Sequence, residues 1–149
     1  MSDWIPDEEW KTIVQNMPIV SVDLIIECPD GIVLGRRSNE PAKGEWFVPG
    51  GRVRKNESLK SAGREELGID LEIREMIGTF EHFYETSEIG CDKHYVAHGF
   101  QTWTEQTTFE ADTQHGEISP FTQMPQDLHE YVVDYLREID VDYLNDYDL

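Results

Sequence analysis

The 149-residue sequence lacks the features that define several common classes of protein. Its two cysteines, Cys28 and Cys91, form no CxxC pair, which argues against a disulfide framework and against a thiolate zinc site. No stretch approaches the roughly 20 apolar residues that a membrane-spanning helix needs. The first ten residues are acidic and have no apolar segment typical of a secretory signal. We therefore expect a cytoplasmic protein that does not act at a membrane.

Basic residues are also scarce, since 12 Lys and Arg stand against 31 Asp and Glu, for a net charge of −19. Such a surface argues against nucleic acid as a partner. However, eight of the 12 bases fall in the basic segment 36–64, which holds only three acids. This segment can attract a small polyphosphate, with chance clustering of surface bases as the alternative. The acid-rich, lysine-poor remainder resembles proteins of halophilic organisms.

The order of apolar and turn-forming residues predicts one domain over residues 1–149, with an acidic tail at 140–149 that frays. No internal repeat or linker divides the chain. Apolar periodicity and capping residues predict helices between Pro6 and Pro18, over 57–67 and over 126–139. Strands are predicted over 19–27, 32–35, 46–48, 71–83 and 93–104. This mixture indicates an α+β domain.

A glycine pair followed by spaced glutamates is the motif that carries chemistry. Gly51 and Glu57 precede the second predicted helix, which ends in Glu65-Glu66-Leu67-Gly68-Ile69. A glycine pair lets backbone approach a phosphate, and adjacent carboxylates supply the hard oxygen ligands that Mg²⁺ prefers. Two glutamates on a helix are, by themselves, more often a solvated surface. The glycines before the helix and the fixed ending after it favour the functional interpretation.

These residues resemble the Nudix box, G-x5-E-x7-R-E-U-x-E-E-x-G-U, where U is a bulky aliphatic residue. The resemblance implies a Nudix-like α/β/α sandwich with a mixed β-sheet. One departure is clear: ten residues separate Glu57 from Gly68, four fewer than in the family pattern. Four residues shorten a helix by roughly 6 Å but rotate its faces by only about 40°. The helix is therefore expected to keep its buried face while losing one turn of the box.

Several further segments look like those of GDP-mannose mannosyl hydrolases within the Nudix superfamily. They are the arginine-containing segment 35–44, the Trp46-Phe47-Val48-Pro49-Gly50-Gly51-Arg52 segment, His82-Phe83-Tyr84, His94-Tyr95 and Gln114-His115. The resemblance implies Mg²⁺, with Mn²⁺ as a substitute. It places the metal on the Gly50 carbonyl, Glu66 and Gln114, and Glu65 is the adjacent candidate ligand.

The resemblance also implies a reaction in which water attacks the anomeric carbon of a nucleotide sugar and GDP leaves. His115 would be the base, a role that suits an imidazole at neutral pH. Arg37 and Arg52 would hold the leaving group, and Asp23 would complete the catalytic set. The expected substrate contacts are Arg36, His82, Tyr84 and Tyr95. The subgroup implies a homodimer that binds a small nucleotide sugar.

Two alternatives remain at this point. The first is a Nudix pyrophosphohydrolase that cuts a P–O–P bond in a nucleoside diphosphate derivative. The second is a non-catalytic nucleotide-sugar-binding protein with a degenerate Nudix helix, which the short spacing favours. Individual residues also have structural explanations. Asp23 lies in a hydrophobic strand and needs a partner or a function, His82 and Tyr84 alternate along one strand, and Gln114-His115 is expected in a polar loop.

Overall fold

The computed structural model describes residues 5–39, 42–110 and 115–139. These contain seven strands and three helices. In chain order they are α1 (Asp7–Asn16), β1 (Ile19–Cys28), β2 (Gly31–Arg37), β3 (Trp46–Phe47), β4 (Gly50–Arg52), α2 (Leu59–Glu65), β5 (Glu72–Tyr84), β6 (Lys93–Trp103), β7 (His115–Phe121) and α3 (Glu130–Ile139). The predicted acidic tail 140–149 and residue Gln114 lie outside the described residues.

The seven strands form one mixed sheet in the order β3-β2-β1-β6-β5, with β4 paired to β1 and β7 paired to β2. β1 and β6 run parallel, and the other pairs are antiparallel. Side chains of β1 such as Val22 and Leu24 pack on the side of α2, whereas Ile25 packs with α3. A strand covered on both faces is mostly apolar, as β1 is apart from Ser21, Asp23 and Glu27. The predicted α+β sandwich with a mixed sheet is confirmed.

Helix α2 is short, as predicted from the ten residues that separate Glu57 from Gly68. It has seven residues against the 57–67 that we expected, and Glu66 is its C-terminal cap. Ser58 begins the helix, because its hydroxyl oxygen accepts a hydrogen bond from the Ser61 N–H at 3.1 Å. Gly63 faces β1, where an added Cβ would lie 3.1 Å from a methyl carbon of Leu24. The glycine therefore lets the short helix pack closely against the sheet.

Two strands were not predicted, and both have compositions that local signals do not favour. β4 is Gly-Gly-Arg, and it exists because Gly50–Arg52 pairs with Ser21–Asp23 of β1. β7 contains Gly116 and Pro120 and pairs with β2 alone, an edge position that tolerates proline. The expectation of a polar loop at His115 was therefore wrong, since His115 is the first residue of β7.

Candidate active site

A cleft of about 850 Å³ opens across one end of the sheet, and it brings together most of the predicted site residues. This volume is within the usual range for small-molecule sites. The predicted residues that line it are Asp23, Arg37, Gly50, Arg52, Glu65, Glu66, His82, Tyr84, Tyr95 and His115. Residues that are distant in the sequence therefore meet in one place.

Arg37 and His115 are brought together by strand register. They face each other across β2 and β7, and the register shifts between Arg36 and Arg37, where a bulge interrupts the ladder. Directly opposite residues in antiparallel strands point to the same face, and bulges often redirect side chains beside active sites. The ring of His115 lies over Gly35, where an added Cβ would be 2.6 Å from the imidazole Cδ2. Only a glycine at position 35 leaves room for the imidazole ring, so the position of the His115 ring is fixed against β2.

The structure does not bring Arg36 to the cleft. Its guanidinium lies 3.6 Å from the Asp127 carboxylate and 5.9 Å from the centre of the Trp46 ring. Its Nε also donates a hydrogen bond to the Gly44 carbonyl at 3.1 Å. Side chains alternate along a strand, so Arg36 and Arg37 leave β2 on different sides. The position of Arg36 therefore corrects the prediction that it contacts substrate.

One side of the cleft, which we call the glycine–carboxylate wall, consists of Gly50, Gly51, Arg52, Glu65 and Glu66. A Cβ on Gly51 would collide with the Glu66 carboxylate, so the glycine and the acid are in close contact. Glu66 is half-buried, whereas Glu65 is exposed. The wall thus combines half-buried glycine backbone with carboxylate oxygens, and Arg52 adds a positive charge.

Helix α1, which is not part of the glycine–glutamate motif, also contacts this wall. The guanidinium carbon of Arg52 lies 5.0 Å from the centre of the Trp10 ring, a cation–π arrangement. Trp10 also lines the cleft. The stacking therefore fixes the direction of the arginine within the glycine–carboxylate wall.

The donor chemistry of the glycine–carboxylate wall fits a hard divalent cation. Among the described residues, no group of three or more His, Cys, Asp or Glu is arranged to hold a metal by itself. Mg²⁺ usually binds through one or two carboxylates and completes its shell with water and substrate phosphates. Glu66, with Glu65 beside it and the Gly50 backbone nearby, matches such a partial site. The predicted ligand Gln114 lies outside the described residues.

The opposite side, which we call the aromatic wall, is set by pairing of β5 with β6. His82 faces Tyr95 and Tyr84 faces Lys93 across the two strands, so the four side chains share one face of the sheet. All four line the cleft. The rings of Tyr84 and Tyr95 meet edge to face, with centres 5.9 Å apart. Lys93 was not among the predicted site residues.

Asp23 lies on β1 between the two walls, and α3 supplies its partner. The Tyr135 hydroxyl donates a hydrogen bond to Asp23 Oδ2 at 2.5 Å, and His82 Nδ1 lies 3.8 Å from the same oxygen. Burial raises the pKa of Asp23 to about 7, although the Tyr135 hydrogen bond and the Arg37 charge both lower it. The carboxyl group therefore exchanges its proton near neutral pH, as an acid–base group requires.

Histidines and tyrosines surround Asp23 in a closely packed group. The rings of His82 and Tyr131 stack with centres 4.1 Å apart. Burial lowers the pKa of His82 to about 4, with a further lowering from His129. Burial raises the pKa of Tyr135, and the negative charge of Asp23 adds to this effect. His82 and Tyr135 stay uncharged at neutral pH, so this part of the aromatic wall presents neutral hydrogen-bonding groups.

Sequence reasoning did not identify Tyr131, Tyr135 and His129 as residues of this region. All three come from α3 or the turn before it, and their rings contact those of His82, Tyr84 or Phe47. A signal was present in the sequence, because a tyrosine on the buried face of a helix needs a partner for its hydroxyl. Tyr135 and the isolated Asp23 are such a pair, but nothing in the sequence joins them.

Comparison with known proteins defines the class. The model of the NUDIX domain family matches residues 17–142, so the chain belongs to the Nudix family and is a Nudix hydrolase. It is 51% identical over 142 residues to the low-salt glycan biosynthesis protein Agl8 of Haloferax volcanii, covering 91% of each chain. The ADP-ribose pyrophosphatase of Methanocaldococcus jannaschii is 36% identical over 67 residues, which are 42% of this chain and 40% of that protein.

Solved structures agree with this assignment. The crystal structure of the MutT protein from Methanosarcina mazei Go1 superposes with a TM-score of 0.66 at 25% identity, covering 84% of this chain and 95% of that one. Enzymes of the Nudix family generally use a divalent cation, in keeping with the carboxylates of the cleft. In the described part of the chain, no helix has both the length and the apolar character to cross a membrane.

Proposed function

We propose that this Nudix hydrolase cleaves a nucleoside diphosphate sugar, with GDP-mannose as the leading substrate, to release the free sugar and the nucleoside diphosphate. The observation that carries the proposal is the pairing of two unlike walls in one cleft. The glycine–carboxylate wall offers an arginine, carboxylates and glycine backbone, which suit a diphosphate with its cation. The aromatic wall offers neutral tyrosine and histidine side chains, which suit a sugar. A nucleotide sugar presents both surfaces.

In this proposal the reaction takes place between the two walls. His115 accepts a proton from the water that attacks the anomeric carbon, and the electrons of the breaking C–O bond move to the diphosphate. Arg37 and Arg52 stabilise the charge that develops on the departing phosphate oxygen. Mg²⁺, held through Glu66, Gln114 and the Gly50 carbonyl, would neutralise the diphosphate. In this proposal Asp23, which lies between the two walls, contacts the sugar, and its carboxyl can accept or donate a hydrogen bond.

The relatives add support of a general kind. Agl8 is named for glycan biosynthesis, a process whose building blocks are activated sugars, and its similarity extends over nearly the whole chain. The organism of that relative also supports the expectation, drawn from the acidic surface, that the protein works in concentrated salt. The homodimer expected from the subgroup stays a proposal, to be tested by light scattering.

The decisive experiment follows the oxygen of water. The enzyme is incubated with Mg²⁺ and, in turn, GDP-mannose, GDP-glucose, ADP-ribose and UDP-glucose in ¹⁸O-labelled water, and the products are analysed by mass spectrometry. We expect GDP-mannose to be cleaved with the label in mannose and none in GDP. Label in a phosphate would show attack at phosphorus and would contradict the mechanism.

The role of His115 is tested with His115→Gln. A general base contributes about 10²- to 10⁴-fold, so we expect kcat to fall by about 1,000-fold with little change in KM. His98→Gln is a matched control, because the His98 ring bonds the Thr79 hydroxyl at 3.0 Å and does not line the cleft. Wild-type turnover by His115→Gln would remove this residue from the mechanism.

A second candidate is the hydrolysis of a P–O–P bond in a nucleoside diphosphate derivative. The observation that favours it is the similarity of 67 residues to an ADP-ribose pyrophosphatase. Here Glu65 and Glu66 would carry more of the chemistry, because attack occurs beside the cation. ADP-ribose turnover with label in AMP or ribose phosphate would support this candidate over the first.

A further inference from the structure

Lys93 is a buried cation in the wall of the cleft, and neither the Nudix box nor the predicted site accounts for it. Its side chain is only 5% exposed. It stands opposite Tyr84 on the shared face of β5 and β6, and its Nζ lies 5.8 Å from the centre of the Tyr95 ring. Removing an ammonium group from water is costly unless partners replace the water. The surroundings of Lys93 therefore need an explanation.

Glu88 is the partner that the chain supplies. Its Oε1 lies 2.5 Å from Lys93 Nζ, and it comes from the turn 85–92 between β5 and β6. The Glu88 side chain is 44% exposed and also lines the cleft. Among the described residues, Glu88 is the single hydrogen-bond acceptor of Lys93. An ammonium group has three N–H donors, so two more remain to be used.

A contribution to folding stability does not by itself explain why Lys93 and Glu88 form a buried ion pair. A buried ion pair often contributes no more than apolar side chains of the same size would. The donors of Lys93 lie beside Tyr84 and Tyr95, at the end of the cleft away from Arg52. Arg52 lies on β4 and Lys93 on β6, and β1 runs between these two strands. Strands lie about 4.8 Å apart, so roughly 10 Å across the sheet separates the strand of Arg52 from that of Lys93. A ligand that has its diphosphate at β4 presents its other end to Lys93.

We propose that Lys93, oriented by Glu88, is a specificity-determining residue that donates hydrogen bonds to hydroxyl oxygens of the glycosyl group. The inference rests on the proposed function and adds a charged contact to the neutral sugar surface. The lysine donates to the sugar, and Glu88 fixes the direction of the ammonium group and can accept from a neighbouring hydroxyl. The pair thereby distinguishes a glycosylated nucleotide from the nucleoside diphosphate that remains after cleavage.

The test compares two ligands by calorimetry, GDP-mannose and GDP, in the His115→Gln background that slows turnover. A hydrogen bond to a charged group is strong, so we expect Lys93→Met to weaken GDP-mannose binding by about tenfold or more. GDP binding should stay within about twofold, because the diphosphate lies at the other wall. Lys60→Met is the control, since Lys60 is an exposed base on α2 that does not line the cleft.

Deoxy analogues of GDP-mannose test the same contact without changing Lys93. One analogue should bind about tenfold more weakly than GDP-mannose in the presence of Lys93, and Lys93→Met should add no further loss for that analogue. Equal weakening of GDP and GDP-mannose in Lys93→Met would assign the lysine a merely structural role and overturn the inference. So would deoxy analogues that all bind as tightly as GDP-mannose. A protein that binds neither ligand would remove the proposed function itself.

Discussion

The two walls of the cleft are built in different ways. The glycine–carboxylate wall comes from one stretch of chain, with Gly50 and Glu66 separated by a single short helix. The aromatic wall and its support come from β5, β6 and α3, and the contact between Asp23 and Tyr135 spans 112 positions. The first wall consists of half-buried or exposed groups, whereas Asp23, His82 and Tyr135 are all at most 7% exposed.

This difference assigns different physical tasks to the walls. The carboxylates and the arginine of the first wall are exposed or half-buried, so a cation or a phosphate can reach them from solvent. Buried histidine, tyrosine and aspartate have pKa values moved by desolvation, so they stay neutral or titrate near neutral pH. We therefore expect changes in the first wall to affect activity more than stability, and changes in the second to affect stability as well.

Among changes within the two walls, the largest expected effect is the loss of activity from Gly51→Ala in the glycine–carboxylate wall. The added Cβ displaces the Glu66 carboxylate, so we expect kcat/KM to fall by about 10- to 100-fold while the melting temperature changes little. Steady-state kinetics and thermal denaturation measure the two quantities. If Gly51 acts through Glu66, the same substitution should add almost nothing in a Glu66→Gln background. Full additivity of the two changes would contradict this coupling.

The matching change beside the aromatic wall is Gly99→Ala on β6, and its main effect is on stability. The Cβ would lie 2.6 Å from Cε1 of Tyr135, a fully buried ring on α3. Overpacking of a core costs about 1–3 kcal/mol, which urea denaturation would measure as a lower free energy of unfolding. Gly116→Ala is the control, since nothing lies within 4 Å of its added Cβ. Equal stability of the two variants would show that Tyr135 is not fixed against β6.

A smaller effect is expected from the pH dependence of stability. The pKa of His82 falls from 6.5 to about 4, so the unfolded chain binds more protons between these values and His82 makes stability rise with pH there. The pKa of Asp23 rises from 3.8 to about 7, so the folded chain binds more protons and Asp23 makes stability fall as pH rises. The two buried groups therefore offset each other in the native protein.

Two variants separate these contributions. Relative to wild type, His82→Gln should gain stability as pH falls from 6.5 to 4, and Asp23→Asn should gain stability as pH rises from 4 to 7. Each slope is at most about 1.4 kcal/mol per pH unit for one proton. Chemical denaturation at five pH values measures them. Parallel pH profiles for wild type and both variants would contradict the assignment of the buried groups.

The smallest expected effect contrasts the acidic surface with the basic segment 36–64. Salt screens the self-repulsion of a chain with a net charge of −19, so the melting temperature should rise from low salt to molar KCl. Salt also screens the attraction between the arginines of the cleft and a diphosphate, so GDP affinity should fall over the same range. Scanning calorimetry and ligand titration give the two trends. If the melting temperature and the GDP affinity both rose, or both fell, with KCl, a single charge distribution would govern both quantities.

Local chemistry accounts for what the sequence predicted well. The apolar run of β1 and the glycines before the short helix are both signals within a few residues. The missing turn of the Nudix helix was read directly from spacing and appears as a seven-residue α2. Most of the candidate site residues were named through the family resemblance, and ten of them line one cleft.

Contacts between distant segments account for what the sequence did not reveal. β7 forms because β2 offers it an edge, although its own residues include glycine and proline. Arg36 and Arg37 are adjacent in sequence, and only the strand geometry places one at Trp46 and the other in the cleft. Lys93 and Glu88 are five positions apart, but the register of β5 against β6 turns the lysine into the aromatic wall.

The sequence by itself determined the family, the mixed α+β fold and the identity of the glycine–carboxylate wall, because these depend on local spacing and apolar patterning. Only the tertiary structure decided which buried partners Asp23 has, where the His115 ring lies and on which face of the sheet Lys93 lies. Those features depend on desolvation and on strand register. Both are set by segments that meet only after the chain has folded.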